Sequence, residues 1–77
     1  MLLLNLVKEM ENIGLDYTMI SLKRIDIPFD NFTAVVVIRD RYNVYILDEG
    51  YVIDIEACET VEEVLDFLLD LDMVLEG

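Results

Sequence analysis

"FTAVVVIRDRYNVYILDEGYVIDI", residues 32–55, decides the fold. Its first part, Phe32 to Arg39, is a continuous apolar run rich in β-branched residues, which suits a strand and disfavours a helix. A run without polar alternation predicts a central strand covered on both faces, or covered by a partner on one of them. "DRYN" at 40–43 reads as a turn, and "VYIL" at 44–47 as the next strand. "DEG" at 48–50 is a tight turn in which Gly50 supplies the positive φ that such turns demand. "YVIDI" at 51–55 then makes a further short strand. Short strands joined by tight turns predict an antiparallel meander.

Upstream, Leu2, Leu3, Leu6, Val7, Met10 and Ile13 fall on one face at helical spacing, with Lys8, Glu9, Glu11 and Asn12 opposite. The spacing predicts a helix over about residues 2–12, closed by Gly14 as a left-handed C-cap. "DYTMISLKR" predicts a first strand over about 16–24, and "DIPFDN", with its Pro28, Asp30 and Asn31, a loop. Downstream, Thr60 stands three residues before Glu63, the spacing of a capping box, so a second helix starts at about residue 61. The predicted order is α-β-β-β-(β)-α. This is an α+β fold with an N-terminal helix, an antiparallel three- to four-stranded meander and a C-terminal acidic helix. With no repeat, linker or low-complexity segment, residues 1–77 read as a single compact domain.

Hydrophobic residues make up 56% of the 77, more than so short a chain can hide inside itself. The excess predicts a dimer or a partner interface. One cysteine, Cys58, permits no intrachain disulfide, and "MLLLNLV" lacks the basic start of a signal peptide, so a cytoplasmic location is expected. No run approaches the roughly 18–20 apolar residues that span a bilayer.

The net charge is −12, and its placement is lopsided. Residues 1–41 hold six acids and all five basic residues, whereas 42–77 hold eleven acids and no basic residue. The asymmetry points away from direct binding to nucleic acid or to an anionic membrane, which would be repelled, and toward a strongly basic protein partner. The competing reading is that acidity simply keeps a greasy small domain in solution.

In the last helix, Val61, Val64, Leu65, Leu68, Leu71 and Leu75 gather on one side at 100° per residue, and Glu62, Glu63, Asp66 and Asp70 on the other. Like charges four residues apart cost about 0.2–0.5 kcal/mol per pair, so this helix repels itself. Glu62, Asp66 and Asp70 form an i, i+4, i+8 row rising about 6 Å per step, a scale similar to the spacing of phosphates along a nucleic-acid strand. A groove lined with Lys and Arg accepts either kind of anion. Phe67 and Val74 flank the acids, as aromatic and apolar anchors do at interfaces. Asp72 falls within the apolar arc, which is costly unless the helix frays before it and leaves 72–77 as a loose tail. Asp48, Glu49, Asp54, Glu56 and Glu59 form a second acidic cluster on the turn, short strand and helix approach. Asp40, between Arg39 and Arg41, reads as a locally compensated turn residue.

The chemistry of catalysis is missing from the sequence. There is no histidine for a triad or a zinc site, no partner for Cys58, and no Gly-rich phosphate loop among three glycines. The spaced acidic loop of a calcium site is also lacking. A non-enzymatic protein without cofactor or metal is expected.

With its elements laid out, the chain resembles the small acidic anti-CRISPR proteins of phages, in particular those of type II-A systems that block the PAM-binding region of the RNA-guided nuclease. The resemblance runs through "LVKEMENIGLDYTMISL" (6–22), a helix leading into a strand that opens with Asp-Tyr-Thr, then "VVVIRDRYNVYIL" (35–47), a hairpin with a polar acidic turn, and then an acidic helix. It implies a DNA mimic that presents carboxylates where PAM DNA would sit, against arginines that otherwise read guanine edges. Asp16 and Asp40 match acids of that pattern. Val44 stands about where the family has a further acid, and the family's longer acidic C-terminal extension is missing. The expected function is therefore an inhibitor that occupies a basic nucleic-acid-binding channel of a partner, an RNA-guided nuclease above all, in the host cytoplasm if the gene is a phage's. The expected partner-binding residues are Asp16, Asp40, Asp48, Glu49, Asp54, Glu56, Glu59, Glu62, Glu63, Asp66 and Asp70. The alternative is a small interaction protein acting as a homodimer or a toxin-neutralising subunit.

Overall fold

In the computed structural model, which describes residues 2–76, helix α1 (Leu2–Ile13) leads into five strands and a final helix α2 (Val61–Glu76). The strands are β1 (Thr18–Ser21), β2 (Arg24–Pro28), β3 (Thr33–Ile38), β4 (Tyr42–Asp48) and β5 (Tyr51–Cys58). They form one antiparallel sheet in the order β1-β2-β3-β4-β5. This is the α+β meander the sequence predicts, with one more strand.

The extra strand comes from the stretch expected to be strand end and loop. "DYTMISLKR" does not run straight to residue 24; it turns at Leu22–Lys23, and residues 24–28 return beside it as β2. Alternation explains the difference. Ile25 and Ile27 are fully buried while Arg24 and Asp26 point the other way, so burial of two isoleucines outweighs the breaker at Pro28. Pro28 sits at the last strand position, where a missing N–H is tolerated.

Local signals act where they were expected. Gly14 (φ 73°) ends α1 in a Schellman motif: its N–H donates to the Glu11 carbonyl at 3.3 Å, and the Leu15 N–H to the Met10 carbonyl at 2.9 Å. Glu49 and Gly50 both take positive φ (51° and 87°), the two-residue turn that matches strand twist. The Thr60 hydroxyl oxygen accepts the Glu63 N–H at 3.2 Å and caps α2. α2 continues as helix through Glu76, so it does not fray before Asp72, and Asp72 is half-buried at the margin of the apolar arc.

Both helices lie on one face of the sheet. Leu3, Leu6 and Met10 of α1 and Val64, Leu65 and Leu68 of α2 close over Ile25, Ile27, Ala34, Val36, Ile38, Tyr42, Val44, Ile46 and Cys58. The Tyr42 hydroxyl donates to the Leu2 carbonyl at 2.6 Å, tying the start of α1 to the start of β4. Since α2 starts where β5 ends, the two helices run side by side in the same direction. Leu71 packs at the edge of the core, and Leu75, expected in the apolar stripe, is largely exposed because the last turn of α2 outruns the core.

Candidate partner-binding surface

Strand register fixes which face each side chain of β5 occupies, because residues paired across an antiparallel ladder point the same way. Glu56 pairs with Val44, Asp54 with Ile46 and Cys58 with Tyr42, so all three stand on the helix side. Ile55 pairs with Tyr45 and Ala57 with Asn43, on the helix-free side. β5 is thus inverted relative to its neighbours: its acids share the side of the core, and its aliphatic groups face away. The helices close over the inner strands and over Cys58, leaving Asp54 and Glu56 exposed beside α2.

On α2, Glu62, Glu63, Asp66 and Asp70 are all exposed along the outward crest. Glu56 of β5 and Glu63 of α2 both act on Cys58. Burial first, then the charges of Glu56 and Glu63, push the Cys58 thiol above its usual 9.0. Asp54 and Glu56 on the helix side of β5, Glu59 before α2, and Glu62, Glu63, Asp66 and Asp70 on α2 are thus all exposed acids. On the α1 side, Glu62 and Asp66 line an open cleft with Asn5, Lys8 and Glu9. Lys8 is the cation nearest to hand there, yet among the described residues the one ion pair within 4 Å is Arg24–Asp26, on the opposite face.

The other predicted residues are not part of this surface. In a meander, alternate turns lie at opposite ends of the sheet. Asp48 and Glu49 share one end with Asp30, where the 29–33 and 47–49 segments line a shallow hollow. Asp16, just before β1, is at that end as well. Asp40 is at the far end, between Arg39 and Arg41, and next to the Lys23 turn, whose carbonyl accepts the Ile38 N–H at 2.7 Å. No ion pair compensates Asp40 among the described residues. Val44, at the position of a further acid in the family that the chain resembles, is fully buried and presents nothing to a partner.

Two acids that the sequence reading left out of the site belong to these surfaces: Glu9 in the interhelical cleft and Asp30 in the turn hollow. Glu9 was readable only as a polar residue of α1, and its place beside Glu62 and Asp66 depends on the two helices running in parallel. The acids are strung along a ridge rather than converged: among the described residues no three His, Cys, Asp or Glu side chains come together as a metal site would require. Among the described residues, no helix is long and apolar enough to cross a membrane.

Set against family models, curated proteins and solved structures, the chain matches none of them. What defines it is its own architecture, a five-stranded α+β meander with a self-repelling acidic crest on its helix side.

Proposed function

We propose that the protein is a non-enzymatic inhibitor that lays its acidic helix side into a basic nucleic-acid-binding channel of a partner protein, with an RNA-guided CRISPR nuclease as the favoured target. The observation that carries this reading is the exposed carboxylate row of Glu62, Asp66 and Asp70, flanked by Asp54, Glu56 and Glu63 and left without ion pairs among the described residues. A row of like charges costs folding energy in the free protein. Contact with Lys and Arg side chains in a groove relieves that cost and replaces the phosphates that the groove ordinarily holds.

The half-buried Phe67 leans toward the β5 side of the crest and supplies an apolar anchor beside the charges. Asp48, Glu49 and Asp30 at the sheet end extend the polyanion toward the surroundings of the channel, and Asp16 joins them there. Asp40, on the arginine-bearing end, takes no part in this mode.

The test is inhibition of target-DNA cleavage by purified nuclease, with binding measured in parallel from low to high salt. Charge mimicry requires affinity to fall at least about tenfold between roughly 50 and 500 mM salt, as counterion-linked contacts do. Replacing Glu62, Asp66 and Asp70 together by Gln, Asn and Asn should abolish inhibition while the fold is retained. A folded triple variant that still inhibits at full strength would sink the site.

A further inference from the structure

We propose that the helix-free face of the sheet is a self-association surface, on which a second copy of this chain packs face to face over all five strands, with β3, β4 and β5 supplying the apolar part.

The face is apolar over β3, β4 and β5 apart from Thr33 and Asn43, with Val35 buried, Val37, Tyr45 and Leu47 half-buried and the residues of β5 exposed. Register places Val35 and Val37 of β3, Tyr45 and Leu47 of β4, and Val52, Ile55 and Ala57 of β5 on it. A bulge between Ile46 and Leu47 adds Ile53 beside Val52. Val52, Ile53 and Ile55 are 53%, 55% and 60% exposed, a cluster of large aliphatic groups on one strand. Such a patch in a monomer marks an interaction site. The unbroken apolar run of β3 has its explanation here, since Val36 and Ile38 serve the core while Val35 and Val37 serve the opposite face.

Charge decides the occupant. The chain carries −12, yet the carboxylate that register places on this face, Asp26, is neutralised by Arg24 through two hydrogen bonds of 2.9 and 3.1 Å. The face is therefore net neutral in a strongly anionic protein, and a second anionic copy can approach it. Sheets packed about 10 Å apart leave the two acidic helix layers on the outer sides, separated by far more than the roughly 8 Å Debye length.

Edge pairing through β5 is disfavoured by the same reasoning. It would bring Asp54 and Glu56 against their own copies, and the Asp54 carboxylate already accepts the Ile55 N–H at 2.8 Å. The ends of the sheet add complementarity. A two-fold axis perpendicular to the strands sets β5 over β5. It also lays the Arg39–Arg41 turn of each copy over the Asp30 and Asp48–Glu49 turns of the other. Five strands about 4.8 Å apart and six residues of about 3.3 Å give roughly 450 Å² of face per copy in projection, so contact over the whole face brings two copies to about 900 Å², close to the ~1,000 Å² of a specific interface.

The experiment is sedimentation equilibrium of the full chain from roughly 5 to 500 µM, the range suited to an interface of this size. The expected result is association to twice the 8.9 kDa chain mass. Ile55→Glu should weaken the dimer by at least about 100-fold, about tenfold for each of its two copies, whereas the charge-matched Leu4→Glu, on exposed α1 surface, should leave it within about threefold. Circular dichroism checks that each variant is folded. Should Ile55→Glu not fold, the wild-type protein itself decides: with rising concentration, methyl resonances of Val35, Val37, Leu47 and Ile55 should shift and those of Leu4 and Leu22 should not. A monomer throughout the range overturns the proposal. So does a dimer equally weakened by both variants, or shifts confined to α1 and α2.

Discussion

If the crest of α2 is self-repelling, reversing its central charge should make the protein more stable. Asp66 is exposed, and lies four residues from both Glu62 and Asp70 and three from Glu63. Asp66→Lys removes three like-charge neighbours and creates attractive ones in their place, each worth about 0.2–0.5 kcal/mol. The open cleft with Lys8 offsets part of this, and solvent screening trims exposed pairs further. The expected gain is about 1 kcal/mol at low salt, or roughly 4–8 °C in Tm for a domain of this size. Urea unfolding followed by far-UV circular dichroism measures it, at about 20 mM and about 500 mM salt, where the Debye length drops severalfold. The gain should shrink by half or more at the higher salt, while inhibition of a nuclease is lost at both. A variant no more stable than the wild type at low salt would refute the idea of a charge row held against its own repulsion. An equal gain at both salts would also refute it, because the effect would then not be electrostatic.

Other expectations follow from the core and its caps. Leu68→Ala, at a fully buried α2 position, should cost about 2–5 kcal/mol in urea unfolding. Tyr42→Phe removes the bond to the Leu2 carbonyl and should cost about 1–2 kcal/mol, with the start of α1 exchanging amide protons faster. Burial raises both the Cys58 thiol and the Tyr42 phenol above their usual 9.0 and 10.0, favouring the protonated forms in the folded state. Their contribution is fully present below those values and lost as pH rises through the folded ones. Unfolding free energy should therefore fall above about pH 9, less steeply in Cys58→Ala. At pH 8 the native thiol should resist a disulfide reagent and react promptly in urea.

Much of the fold was legible because its signals are short-range. Gly14, Gly50 and Thr60 act within one turn of the chain, and the helical spacing of Leu3, Leu6 and Met10 needs no knowledge of the rest. The misreading at 24–28 has the opposite cause. Pro28 and Asp30 are genuine local breakers, and the strand forms because Ile25 and Ile27 reach a core made by distant residues such as Val36 and Ala34. Arg24-Ile25-Asp26-Ile27 alternates as a half-buried strand does, but four residues beside two breakers are too short a pattern to settle it, and burial of the two isoleucines outweighs the breakers.

The acidic crest of α2 was likewise readable, since 100° periodicity assigns Glu62, Asp66 and Asp70 to one arc wherever the helix packs. The sequence alone determined the elements, the caps and the charge each element carries. The tertiary structure decided which charges become neighbours. Alternation separates Asp54 and Glu56 from Ile55 and Ala57, but only the register with Val44 and Ile46 says that the acids share the helix side. Only the meander topology gathers the Lys23 and Arg39–Arg41 turns at one end and Asp30, Asp48 and Glu49 at the other. The physical reason is range: backbone preference and periodicity are set by residues a few positions apart. Which face of a sheet the helices cover depends on contacts between segments far apart in the chain.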